Sequence, residues 1–300
     1  MDMMPKRENT EAKTIVSYVP HGVDPNMFFR FPEERSEELK AFKTNLVGDA
    51  EFVVLFNNRN IRRKMPANVI QAFHQFAKKL PKEKQNKVCL LMHTQACDDN
   101  GTDLRAVIRD IAPDVKIVID ETRLNIMGMN LLCNTADVVI NLACAEGFGI
   151  GTLEGMMAER MMIASVIGGL QDQMGFVDEK GEYLNENIHF TETWGTNKDG
   201  RYTTHGEWCV PIFPKAYACI GSPPTPYIDE SHVDWTEAAD AIRTIYDMTP
   251  EERLRRGKLA REYCLTGPFN TKEMCRRMMT SIDYTLANWT PRKRFGMYTP

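Results

Sequence analysis

Short apolar runs alternate with helix-like stretches through the first two thirds of the chain, and this alternation strongly restricts the possible folds. The apolar runs are about five residues long and lack polar–apolar alternation, which is typical of strands covered on both faces. Strands are predicted at residues 14–19, 52–56, 87–92, 115–119, 137–141 and 161–165. Helical spacing predicts helices between them at residues 33–42, 67–79, 102–111, 125–134 and 150–159.

Repeated strand–helix–strand units predict an α/β fold with a doubly wound parallel sheet and right-handed crossovers. We assign residues 14–174 to this domain. Residues 175–234 are rich in Gly, Pro, Asn, Thr and aromatic residues, which indicates an irregular insertion with one or two β-ribbons. Helical spacing returns at residues 235–248, 250–264 and 271–286, so residues 235–290 are predicted to be C-terminal helices that complete the domain.

Composition and charge argue against several classes of protein, including membrane-spanning and secreted proteins. The chain has 37 basic and 41 acidic residues and a net charge of −4, which argues against a main role in binding nucleic acid or an anionic membrane. Its longest apolar stretch, residues 136–145, contains Asp137 and Asn141 and is too short for a membrane span. Residues 1–13 are charged and lack the apolar segment of a secretory signal, so we expect a cytoplasmic protein.

The cysteines indicate free thiols in a reducing compartment, because the eight of them form no CxxC pair and no dense framework. His205 and Cys209 are four residues apart and, with Cys219 further on, could form part of a zinc site. A second half with paired ligand spacing is missing from the sequence, so we expect no metal.

A glycine-rich turn is the strongest functional signal in the sequence. In residues 141–152, NLACAEGFGIGT, a strand ends near Asn141 and a helix begins near Ile150. The N–H groups at a helix N-terminus bind anions, and glycines allow a phosphate to approach the backbone. The turn alone is weak evidence, because any tight strand-to-helix turn uses glycine.

Two carboxylates flank this turn. Glu146 lies at the end of the strand and Glu154 follows eight residues later, within the helix, so both can face the same crevice. A carboxylate is electrostatically unfavourable beside a phosphate unless it accepts hydrogen bonds from hydroxyl groups, and those of a sugar or ribose fit this role. The alternative is that both residues are solvated surface acids.

A basic cluster supplies positive charge at a neighbouring position. Arg59, Arg62, Arg63 and Lys64 place four cations within six residues, after the strand predicted at residues 52–56. Sheets of α/β proteins bind ligands at the carboxyl ends of their strands, and Arg and Lys can neutralise a diphosphate leaving group there. The alternative is a solvated basic loop, which the pairing with the glycine-rich turn disfavours.

Together these motifs resemble the donor-binding domain of the family 4 retaining glycosyltransferases, which have the GT-B fold. Glu146 and Glu154 within EGFGIGTLEGM resemble the family's donor-site signature, and Arg59 with Lys64 resembles its diphosphate-binding pair. YVPHGVD at residues 18–24, followed by Phe28, is similar to the start of the family's C-terminal domain. GGLQD at residues 168–172 resembles the family's Gly-Gly-x-x-acid turn. The sequence around Arg59 is also similar to that of some virus-encoded members.

The resemblance implies a Rossmann-like domain that binds a nucleotide-sugar donor and transfers the sugar with retention, without a metal. It implies that Arg59 and Lys64 hold the two phosphates, that Glu154 binds the ribose hydroxyls, and that Glu146 binds hydroxyls of the donor sugar. Arg59, Lys64 and Glu146 are thus the expected catalytic residues. The remaining expected donor contacts are Gly147, Phe148, Gly149, Ile150, Gly151, Thr152 and Arg63.

The sequence departs from the family at several points. Ala143 replaces a small hydroxyl residue, and Glu159 and Met161 replace a helix-ending glycine and a proline. The family's N-terminal acceptor-binding domain has no counterpart, because the resemblance begins by residue 14. Either the acceptor half is a separate chain, or this chain is a fragment, or the insertion at residues 175–234 binds the acceptor. We expect a partner chain or a homo-oligomer, with an acceptor that the sequence does not identify. A non-catalytic nucleotide or nucleotide-sugar binding module is the alternative, whereas a dinucleotide oxidoreductase is disfavoured because GxGxxG is missing.

Overall fold

A six-stranded parallel sheet forms the centre of the protein in the computed structural model, which describes residues 17–289 apart from residues 186, 187 and 192. The strand order is 3-2-1-4-5-6, the order of a Rossmann fold. The strands are β1 (Phe52–Asn57), β2 (Val88–His93), β3 (Ile117–Asp120), β4 (Val138–Asn141), β5 (Met161–Ser165) and β6 (Cys209–Ile212).

Helices cover both faces of this sheet, which confirms the predicted doubly wound α/β fold. One face packs against α2 (Pro66–Lys78), α4 (Leu104–Ile111) and α8 (Trp235–Tyr246). The opposite face packs against α1 (Ser36–Val47), α5 (Ile126–Thr135), α6 (Ile150–Met157) and α9 (Pro250–Thr266). The remaining helices are α3 (Lys82–Gln85), α7 (Gly168–Gln173) and α10 (Thr271–Asn288).

Burial on both faces explains why the strands read as uninterrupted apolar runs. In β1, Val54 and Phe56 join the core cluster on one face, whereas Val53 and Leu55 join the cluster on the other. Neither face of the strand meets solvent, so neither position requires a polar side chain.

The observed strands differ from the prediction at two places. Residues 17–19 are irregular where a strand was expected, and residues 14–16 of that prediction lie outside the described residues, as does residue 290 of the predicted C-terminal segment. The sixth strand, β6, was not predicted and lies within residues 175–234. It contains Pro211, which pairs with Ala164 of β5, and a proline is tolerated there because β6 is an edge strand.

The expected β-ribbon is present as an antiparallel hairpin of β7 (Pro214–Ser222) and β8 (Thr225–Val233). Its tip is exposed, whereas Glu230 and Ser231 are buried at its base. The chain then enters α8 through Asp234, whose carboxylate accepts a hydrogen bond from the Thr236 N–H at 2.8 Å. Residues 175–234 therefore supply a strand of the main sheet in addition to the hairpin.

The described residues contain no helix both long and apolar enough to cross a bilayer. All eight cysteines lie among these residues as free thiols, and five of them are buried. The Sγ of Cys209 lies 3.5 Å from Nδ1 of His205, whereas Cys219 is exposed on β7.

Candidate functional site

A cavity of about 490 Å³ lies where the carboxyl ends of β1 and β4 meet. The strand order reverses between these two neighbours, so the loops that follow them diverge and leave a crevice, the usual ligand position in such sheets. Eight of the predicted site residues line this cavity: Arg59, Lys64, Glu146, Phe148, Gly149, Ile150, Gly151 and Glu154.

Two glycines allow the first turn of α6 to reach the cavity. Gly149 precedes the helix with φ of +83°, a left-handed conformation that favours glycine. A Cβ added to Gly151 would lie 2.7 Å from the backbone oxygen of Asn57. The glycines thus place the N-terminus of α6 directly against the end of β1.

Thr152, Gly147 and Arg63 do not line the cavity, although the resemblance implied that they contact the donor. The Thr152 side chain is buried, with its hydroxyl 2.6 Å from the Gly149 oxygen and 2.7 Å from Oε1 of Gln173. Arg63 donates a hydrogen bond to the Ala145 oxygen at 2.8 Å. In the structure, Thr152 and Arg63 thus hold the shape of the glycine-rich turn.

A buried ion pair joins the two loops that form the cavity. Nζ of Lys64 donates to Oε2 of Glu146, and the two side chains are only 9% and 7% exposed. Nη1 of Arg63 lies 3.5 Å from Oε1 of the same carboxylate. Burial opposes ionisation of Glu146, but the hydrogen bond and charge of Lys64, with the charge of Arg63, outweigh it and hold the Glu146 pKa below its ordinary value.

Arg59 lies at the rim of the cavity and is 62% exposed. Its Nε and Nη2 donate to the two carboxylate oxygens of Asp98 at 2.8 and 3.2 Å. The Asp98 side chain is only 3% exposed, so the ion pair is open to solvent on the arginine side alone. A ligand anion in the cavity can therefore approach the guanidinium from the solvent side.

The loop between Arg59 and Lys64 is fixed by a buried amide. Nδ2 of Asn60 donates to the Gln95 oxygen at 3.1 Å and to the Thr102 oxygen at 2.7 Å, both in the segment that follows β2. Asn60 is fully buried, so these bonds replace water contacts that its amide would otherwise lose. They hold the basic cluster at the edge of the sheet.

Glu154 lies one turn into α6 with its carboxylate against the end of β1. Its Oε2 accepts a hydrogen bond from Nδ2 of Asn57 at 3.3 Å. Burial raises the pKa of Glu154 to about 7, and the Asn57 hydrogen bond opposes this shift. Near neutral pH the carboxyl group therefore exists in both protonation states.

Four further residues line the cavity and were not predicted as ligands: His21, Asn57, Asn58 and Met129. Asn57 and Asn58 follow β1 at its carboxyl end, a position that the ligand rule for parallel sheets could have identified. The His21 ring packs edge-on against Phe148 with centroids 5.2 Å apart. Its place depends on a long-range contact, since the neighbouring Val23 N–H donates to the Phe269 oxygen, which a local pattern does not reveal.

The fold is an α/β domain like that of GT-B glycosyltransferases, and solved structures with this fold superpose on the chain. One is Anabaena Alr3699/HepE in complex with UDP and glucose, with a TM-score of 0.59 and 15% identity over 87% of this chain and 55% of that chain. Another is sucrose-phosphate synthase (tll1590) from Thermosynechococcus elongatus, with a TM-score of 0.59 and 18% identity over 90% and 52%. At these identities the likeness shows the fold.

A sequence relative with a curated description is the trehalose synthase of Thermococcus litoralis. It is 22% identical over 194 residues, which cover 63% of this chain and 45% of the synthase. The chain thus spans about half the length of the relatives named here. No protein-family model matches the chain.

The raised pKa of Glu154 predicts a pH-dependent stability effect. The folded state favours the protonated carboxyl, because the pKa of Glu154 is about 4.5 in the unfolded chain and about 7 in the folded protein. The free energy of unfolding therefore decreases as the pH rises through this range. We expect Glu154→Gln to raise the free energy of unfolding by about 1–3 kcal/mol at pH 8, with a smaller difference at pH 5. Urea unfolding at both pH values measures this.

Glu262→Gln is the matched control, because Glu262 is exposed on α9. Its effect at the two pH values is the baseline with which the effect of Glu154→Gln is compared. A Glu154→Gln effect that does not grow with pH would contradict the assignment of a raised pKa.

Proposed function

We propose that the cavity binds a nucleoside diphosphate sugar and that the chain is a glycosyltransferase, or the donor-binding half of one. The observation that carries this proposal is the meeting of Arg59, Lys64 and the first turn of α6 with two carboxylates in one cavity. The donors of positive charge suit a diphosphate, and the carboxylates suit hydroxyl groups. The UDP complex of the Anabaena protein on the same fold is consistent with this choice of ligand.

The diphosphate would lie between the first turn of α6 and the side chains of Arg59 and Lys64. Its oxygens would accept hydrogen bonds from the guanidinium, the ammonium group and the helix N–H groups. When the bond to the sugar breaks, negative charge develops on the departing diphosphate, and these fixed donors stabilise it. In this arrangement the protein's own cations, rather than a metal, stabilise the departing diphosphate.

Glu154 would accept hydrogen bonds from the ribose hydroxyls, with Asn57 orienting its carboxylate. Hydroxyl donors stabilise the ionised form, so binding would lower the Glu154 pKa from about 7. Glu146 would bind hydroxyls of the sugar while its pairing with Lys64 keeps it ionised. Transfer with retention of the anomeric configuration is proposed from the resemblance to the family 4 enzymes. The similarity to virus-encoded members stays a prediction.

Acceptor binding is proposed to need a further protein surface, supplied by a partner chain, a second copy or another part of the same protein. Transfer requires that an acceptor is positioned and that water is excluded from the sugar. The chain spans about half the length of the relatives named above, so the acceptors of those proteins do not identify an acceptor for this chain. A nucleotide-sugar binding subunit without activity of its own is therefore the second candidate.

Removal of the rim cation is expected to weaken nucleotide binding. Arg59→Ala should reduce affinity for the best bound of UDP, GDP and ADP by about 1.5–3 kcal/mol, the cost of a lost hydrogen bond to a charged group. Isothermal titration calorimetry measures this. Arg109→Ala is the matched control, because Arg109 is similarly exposed and pairs with Asp110 on α4. Unchanged affinity in both Arg59→Ala and Lys64→Ala would refute the phosphate assignment.

Substitution of the two carboxylates is expected to have different effects: Glu146→Gln on reaction of the sugar and Glu154→Gln on binding of the nucleotide. Glu146→Gln should leave affinity for the nucleoside diphosphate nearly unchanged but reduce hydrolysis or transfer of the donor sugar, because its partner is the sugar. Glu154→Gln should weaken binding of the nucleotide itself, since it removes the charged acceptor for ribose. Equal losses of nucleotide affinity in the two variants would contradict this division.

An apolar stripe on α10 leads to a prediction about assembly. Met278, Ile282 and Leu286 are 51%, 46% and 71% exposed at helical spacing, and such stripes are usually covered by protein. We expect the purified chain to self-associate in light scattering, and Ile282→Glu to reduce the average mass. Thr280→Glu, on the opposite side of α10, is the control. A monomer that transfers sugar efficiently on its own would contradict this expectation.

A further inference from the structure

A second cluster of polar side chains lies beside the glycine-rich turn and does not line the donor cavity. It consists of Cys144, in the loop after β4, with Glu230 and His232 of β8. One potential ligand atom from each of the three residues lies within 4.8 Å of the other two. Cys144 and Glu230 are buried, and His232 is partly exposed. The proposed function uses none of them.

The backbone brings these three residues together. Glu230 and His232 are two positions apart on one strand, so their side chains lie on the same face of the hairpin. Between them, the Ser231 N–H donates to the Cys144 oxygen at 2.7 Å. The Cys144 N–H in turn donates to the Arg63 oxygen at 2.9 Å. These bonds fix the base of the hairpin to the loop that leads into Glu146.

We infer that Cys144, Glu230 and His232 bind a divalent transition-metal ion of the zinc type. A thiolate, an imidazole and a carboxylate are ligands that zinc uses, with a fourth position left for water. Magnesium and calcium prefer sites made of oxygen ligands alone, so the thiol selects against them. This inference does not depend on the proposed sugar transfer.

The geometry and the charges agree with such an ion. Ligand atoms on a tetrahedral zinc ion are about 3.3–3.8 Å apart, given bond lengths of about 2.0–2.3 Å. Nε2 of His232 lies 3.2 Å from Oε2 of Glu230, close to this range, and the Cys144 sulfur lies within 4.8 Å of a ligand atom of each. A buried carboxylate needs a positive partner, and a divalent ion supplies it. Arg62, a cation on the neighbouring turn, is exposed and can stay in solvent.

The ion would hold the donor-binding loop in place and would not take part in the reaction. Cys144 precedes Glu146 by two residues, so a bond from its sulfur to the metal would tie this loop to the β7–β8 hairpin. The ligands come from distant parts of the chain, which explains why a search for paired ligand spacing predicted no metal.

Cobalt(II) titration of the full chain, after treatment with a chelator and its removal, tests the site. Thiolate-bound tetrahedral cobalt absorbs in the near ultraviolet and the visible. We expect a spectrum that saturates at one equivalent and is displaced by zinc. The thiolate band should vanish in Cys144→Ser, and affinity should fall at least about tenfold in His232→Ala.

Two controls keep the experiment decisive. Cys219→Ser changes an exposed thiol on the same hairpin and should leave the spectrum intact. His205→Ala removes the partner of Cys209 and should also have no effect. If Cys144→Ser does not fold, as judged by circular dichroism, the partly exposed His232→Ala decides. The inference is overturned if no thiolate band forms, if the band survives His232→Ala with unchanged affinity, or if it depends on His205.

Discussion

The buried ion pair of Lys64 and Glu146 spans the point at which the sheet reverses its strand order. β1 and β4 are neighbours there, with Val54 beside Val138, and the loops that follow them diverge. The pair joins these loops at the base of the crevice. Each charge of the pair offsets the desolvation cost of the other, so the positions of the two loops depend on each other.

Packing around this pair also sets the electrostatics of the second carboxylate. Gly151 lets α6 approach the end of β1, and this approach buries Glu154 beside Asn57. The same contact that closes the crevice therefore raises the pKa of Glu154 to about 7. Buried groups such as Thr152, whose hydroxyl donates to the Gly149 oxygen, hold the turn that presents the cavity residues. A site built in this way is organised before a ligand arrives.

Local patterns in the sequence predicted the parts of the structure that depend on local physics. Five strands from residue 52 to 165 were recognisable because burial on both faces requires continuous apolar runs. Glu146 and Glu154 line the same cavity, which the sequence could indicate because the carboxyl ends of parallel strands converge. Positions that depend on tertiary contacts were missed: β6 carries Pro211 and resembles a turn, and His21 reaches the cavity through a contact between the two ends of the fold.

The β7–β8 hairpin helps to hold the loop that carries Glu146, although the sequence pattern suggests an insertion. Its buried base holds the backbone of Cys144 through Ser231, while Lys64 holds the side chain of Glu146 two residues later. The short segment between these anchors has little freedom, because its ends are fixed by independent contacts to β8 and to the basic loop. The position of the Glu146 carboxylate therefore depends on the base of the hairpin, through Ser231 and Cys144, as well as on the sheet and the basic loop.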